Sequence, residues 1–118
     1  MTVLTELPDE HTQIRGLRNE ATIAQIALEQ MTAAVQAGLH TEAGTDLLYR
    51  LGEENGFDGP TITSLLGELV GALTTHLQTS GQPGAAHAAN HLTNAAASLT
   101  AVAEHVEHAL GALTEHAG

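Results

Sequence analysis

Apolar positions along this chain recur at alternating spacings of three and four, the period of a helix that lays one stripe against partner helices. The signal is strongest in the last third. There Leu92, Ala95, Leu99, Val102, Val106, Ala109 and Leu113 form an a/d seam, with Ala89, Ala96, Ala103 and Leu110 as a second row beside it. The same spacing links Ile14, Leu17, Ala21, Ala24, Leu28, Met31 and Val35 near the start, flanked by Ile23, Ile26 and Ala33. Between these two long patterns lie two shorter ones. Leu47, Leu48 and Leu51 make one apolar face, and Ile62, Leu65, Leu66, Leu69, Val70, Leu73 and Leu77 make a denser stripe.

Punctuation residues divide the pattern into four helices, expected over 8–38, 41–54, 60–80 and 85–116, after a tail over 1–7. Pro8 suits a first helical position, with Asp9 and Glu10 in the turn where the helix dipole favours anions, and Gly38 suits a C-terminal stop. Thr41 is a candidate cap for the second helix. The run Asn55-Gly56-Phe57-Asp58-Gly59-Pro60 breaks the pattern, so Asp58 or Gly59 is the expected cap of the third helix. Gly67 and Gly71, four apart, cost helix propensity but permit close approach of a neighbouring backbone. Ser80-Gly81-Gln82-Pro83-Gly84 then releases the chain into the last helix.

The fold class expected is all-α, an antiparallel four-helix bundle with long first and last helices and two shorter middle ones, in a single domain. A three-layer bundle broken at the Asn55 to Pro60 turn is the alternative topology. Helices of about thirty residues run roughly 45 Å. They would project beyond the short pair and leave apolar seam uncovered, which points to a homodimer or other homo-oligomer. The interface candidates are Leu92, Leu99, Val106 and Leu113, with Ile14, Leu28 and Val35 on the first helix.

Composition sharpens this picture. Tyr49 and Phe57 are the only aromatic residues among 118, so the core must come from Ala, Leu and Val on closely packed helices. Fourteen carboxylates against Arg15, Arg18 and Arg50, with no Lys, give a net charge of −11. Such a surface repels phosphate backbones and anionic lipid, which disfavours nucleic acid and membrane surfaces as partners and leaves other proteins. No apolar run approaches the eighteen or so residues of a membrane span. Met1 to Glu10 lacks a basic region followed by an apolar one, so a cytoplasmic protein is expected. Cysteine is absent, which removes disulfides, thiol nucleophiles and thiolate metal sites.

Eight histidines are the compositional oddity, and protonating all of them would carry the net charge from −11 to −3. His87 and His91 stand four apart, on one helix face, where two imidazoles can share a divalent metal such as Zn²⁺ or Ni²⁺. His105 and His108 stand three apart. Each pair supplies too few ligands for a closed site. By heptad position His91 and His105 flank the seam, His87 and His108 face solvent, and His76 lies beside the Leu69, Leu73 and Leu77 stripe, where partial burial is expected. These residues support a second reading, a His-dependent metal-binding or pH-responsive protein.

Known helical metal families provide a check on that reading. A hemerythrin-like protein would join His-x-x-x-His, present as His87-x-x-x-His91, to His-x-x-x-Glu, which is missing. The ferritin-like Glu-x-x-His is absent too, and His105-Val106-Glu107-His108 matches neither order of the helical zinc-protease motif. Carboxylate pairs such as Glu53 with Glu54, or Glu104 with Glu107, read as solvated faces, and no nucleophile elbow or phosphate loop is visible. Size, helix content and Tyr49-x-x-x-Glu53 resemble the small secreted helical partners of the WXG100 kind, although the Trp-x-Gly turn of that family is missing. The resemblance implies a helical partner protein. The sequence as a whole therefore predicts a non-enzymatic interaction module, accessory or regulatory, that self-associates.

Overall fold

The computed structural model describes residues 7–52 and 60–117, and in them the chain is all-α. Four helices follow one another: α1 (Glu10–Ala37), α2 (Thr41–Gly52), α3 (Ile62–Ser80) and α4 (Ala85–Ala117). No strand occurs among the described residues. As the periodicity predicts, the fold is of helical-bundle type, with long first and last helices of 28 and 33 residues. The chain divides into two units, 1–39 and 40–118.

In the first unit α1 is a single helix with defined ends. Asp9 is its N-cap, with the carboxylate accepting the Thr12 N–H at 2.8 Å. That bond to the charged form holds the Asp9 carboxyl below its usual range. At the other end the Gly38 N–H donates to the carbonyls of Ala34 and Val35. No residue of α1 is buried, and Met31 alone is half-buried.

The second unit packs α2, α3 and α4 together, with α3 against α4 as the most extensive pairing. Only Gly81 to Gly84 separate these two helices, and Gly81 ends α3 in the left-handed conformation (φ 70°), which glycine adopts without a Cβ penalty. The first turns of α3 line the same groove as the middle of α4, so the pair is an antiparallel hairpin.

Two local interactions fix how α3 sits. Thr61 caps it: its hydroxyl accepts the Ser64 N–H while Ser64 Oγ accepts the Thr61 N–H at 2.9 Å, a reciprocal box. Two residues after the cap, the buried Thr63 hydroxyl donates to the Leu51 carbonyl of α2 at 2.6 Å. The cap is thus Thr61, downstream of the expected Asp58 or Gly59, which lie outside the described residues along with most of the Asn55 to Pro60 turn and with Glu53 and Glu54. Pro60 precedes the helix rather than opening it.

With Thr63 inward, Gly67, Val70, Thr74 and Leu77 follow it round to the α4 side as half-buried positions. Along α4 the covered positions are Ala85, Ala88, Ala89, Leu92, Ala95, Ala96, Leu99, Ala103, Val106 and Leu110. The seam therefore joins Leu92, Ala95, Leu99 and Val106 to the Ala89 row, while Val102, Ala109 and Leu113 stay exposed.

The close approach expected at Gly67 and Gly71 occurs elsewhere. A Cβ at either would meet nothing within 4 Å. At Gly52, the end of α2, it would lie 3.1 Å from Val106 Cβ and 3.3 Å from Ala103 Cα. The small residue there lets α2 touch the α4 backbone.

Three outcomes follow from these contacts. Gly52→Ala should destabilise the chain by about 1–2 kcal/mol, because overpacking against a backbone atom costs about 1–3 kcal/mol and a gain in helix propensity of about 0.5–1 kcal/mol offsets only part of it; urea denaturation measures the difference. Thr63→Val keeps the shape and leaves the Leu51 carbonyl without its donor, at a cost of about 1–3 kcal/mol in the same assay. The lowered Asp9 carboxyl contributes at pH values above its unfolded value, and that contribution is lost as pH falls through its folded value. The Thr12 amide chemical shift should follow that titration, and Asp9→Asn should abolish the dependence.

Candidate functional site

The helical periodicity that turns Thr63 inward also decides what α3 shows to the outside. At about 100° per residue, Leu65, Leu66, Leu69 and Leu73 fall about 60–160° round the helix from Thr63. All four are exposed, with Leu69 at 57%. The leucine-rich face of α3 thus points away from α4, and the face with a threonine pair and a glycine points toward it. Burial of polar side chains is tolerated there because they are bonded: Thr63 to Leu51, and Thr74 back to the Val70 carbonyl at 2.8 Å.

A second apolar row lies on α1. Ile14, Leu17, Leu28 and Val35 fall within about 60° of one another round the helix and are all exposed, Leu17 at 70%, while the exposed Ile23 and Ile26 lie on the opposite side. Scattered exposed leucines are ordinary, but rows at helical spacing along whole helices are the geometry of a partner-facing surface.

The interface candidates read from the sequence separate accordingly. Ile14, Leu28, Val35 and Leu113 are exposed, Leu92 and Leu99 are half-buried, and Val106 is buried beside Gly52. The α3 row forms a dense stripe in the sequence but is not among the interface candidates read from it. Its leucines were visible, but their direction was set by Thr63, whose bond to Leu51 has no sequence signature.

Between α3 and α4 runs an open groove of about 570 Å³. Thr61, Thr100 and Leu99 line it, with Glu68, Glu104 and Glu107 around it. Among the described residues no buried side-chain polar atom lacks a partner.

Compared with models of protein families, with curated proteins and with solved structures, the chain has no match.

The histidines complete the inventory. His76, His87, His91, His105 and His108 are all exposed, so the partial burial expected for His76 is not realised. His87 and His91 meet, with their Nε2 atoms 3.3 Å apart and ring centroids at 4.8 Å. The rings of His105 and His108 stand further apart, 6.4 Å between centroids. No group of three or more His, Asp or Glu among the described residues is placed to hold a metal. Tyr49 of the WXG100-like pattern is half-buried on α2, and its Glu53 partner lies outside the described residues. No described helix is long and apolar enough to cross a membrane.

Proposed function

We propose that this chain is a non-enzymatic helical interaction module, an accessory or regulatory factor that self-associates through its exposed apolar rows. The observation that supports this most is the outward leucine face of α3: Leu65, Leu66, Leu69 and Leu73, each at least 43% exposed. The exposed row of α1 adds a second surface of the same chemistry. Each is long, regular and poor in charge, the properties by which one helix covers another. A second copy of the chain offers the same surface in matching form, and a two-fold arrangement would pair the α3 row with its own counterpart.

Electrostatics make this reading distinguishable from its competitor, capture of a basic partner helix. Two copies each carrying −11 repel one another, so salt should strengthen their association by screening. A cationic partner would instead be released by salt.

Light scattering over micromolar concentrations should therefore give a mass above that of one chain, rising between about 50 and 500 mM NaCl. Leu69→Asp should return it to one chain, with at least about ten-fold weaker association, since burying a charged residue in an apolar contact costs more than the roughly 1.4 kcal/mol of a tenfold change. Because Leu69 is exposed, its helix content by circular dichroism should be unchanged. A single-chain mass at every concentration and salt would overturn the proposal.

A further inference from the structure

His87 and His91 are brought together by the α4 backbone itself, since residues four apart lie one above the other on a helix. Their Nε2 atoms are 3.3 Å apart, with ring planes at 90°. Two imidazole nitrogens bound to one tetrahedral ion at 2.0–2.1 Å stand about 3.3–3.4 Å apart. The separation is thus that of two ligands on a common metal; the two nitrogens share a long hydrogen bond, which a bound ion would replace.

We infer that His87 and His91 form a two-imidazole clip for one divalent transition-metal ion of the Zn²⁺ or Ni²⁺ class. This goes beyond the proposed self-association and does not rest on it. Borderline-soft ions of this class prefer imidazole, whereas Mg²⁺ and Ca²⁺ prefer oxygen, so the clip discriminates between them. Both rings are exposed, so an ion reaches them without rearrangement of the fold and keeps its remaining positions for water.

Two longer-range effects act on the ion. The chain's charge of −11 attracts a cation. The N-terminus of α4, two residues before His87, opposes it by about two- to five-fold in affinity. Neither effect distinguishes between metals.

His105 and His108 are the internal control. They share the helix but not the geometry, being three apart with ring centroids at 6.4 Å.

Calorimetric titration of the full chain with Ni²⁺, and separately with Zn²⁺, in a non-coordinating buffer tests the inference. Saturable binding of one ion per chain is expected, weakened at least about ten-fold by His87→Gln or His91→Gln and unchanged in the His105→Gln/His108→Gln variant. The imidazole NMR signals of His87 and His91 should move on Zn²⁺ addition ahead of those of the other histidines. One ion per two chains, with the mass doubled and the same loss in His87→Gln, would also support the clip, its open positions then being filled by the pair of a second copy. No saturable binding below millimolar metal, or binding that survives His87→Gln/His91→Gln, would overturn it. The substituted side chains are exposed, so an unchanged circular dichroism spectrum separates lost ligation from lost fold.

Discussion

The hydrogen bond from Thr63 to the Leu51 carbonyl decides which way α3 faces, and most of the second unit follows from it. A helix is a rigid rod at this length, so fixing one side chain inward fixes the rotation of all the others. The Thr61 and Ser64 box reinforces the position by holding the first turn where α2 ends. Given that rotation, α3 meets α4 through Thr63, Gly67, Val70, Thr74 and Leu77, and Leu65, Leu66, Leu69 and Leu73 must lie outside. A polar contact of modest net strength thus determines where the largest apolar surface goes. Such a choice is stable only because α4 answers with small residues. Ala89, Ala96 and Ala103 let the helices approach closely enough for many weak dispersion contacts to form.

How much of this was legible in the sequence differs from element to element. The ends marked by Gly38 and Gly81 fell where backbone chemistry demands, because an orphan carbonyl or N–H can be satisfied in few ways, whereas Thr41, the expected cap of the second helix, is the first residue within α2. The cap of α3 was displaced because Thr61-Ile62-Thr63-Ser64 has Ser where the usual reciprocal box has Glu or Gln, and the Asp58-Gly59-Pro60 run drew attention upstream. Both rows of α4 were legible, but not which is covered where they diverge: Ala95 and Ala96 are both half-buried, whereas Ala103 and Leu110 are covered and Val102 and Ala109 exposed. Hydropathy could not rank the rows, since Val102 is more apolar than the Ala103 covered in its place. What ranks them is the partner: α2 closes on Ala103 and Val106 through Gly52, a contact between residues some fifty apart in sequence that no local pattern encodes. The histidine pair was legible in spacing, while its meeting geometry was not, since ring rotation is set only in three dimensions.

The core that results is thin. Ala85, Ala89, Val106 and Leu110 are its buried apolar residues among those described, and two of the four are alanines. Alanine buries little area, and apolar burial contributes about 25 cal/mol per Å². Caps and bonded threonines therefore carry an unusual share of the specification here, from Asp9 at the start of α1 to the Thr61 box. The same economy leaves the larger aliphatic side chains available for contact with something else.

Magnitudes indicate what that contact must include. Burying a leucine fully is worth about 1.5–3 kcal/mol, so covering the exposed half of each is worth about 0.7–1.5 kcal/mol. Four leucines from each of two α3 helices would contribute about 6–12 kcal/mol. Association costs about 4–15 kcal/mol in lost translational and rotational freedom, and two like-charged chains pay a further screened repulsion. The α3 row alone thus roughly breaks even. A firm complex under the proposed self-association requires the α1 row as well, where Ile14, Leu17, Leu28 and Val35 stand at 40–70% exposure. With only one row engaged, association would be weak and governed by concentration and salt, which is how an interaction module of this charge can be reversible.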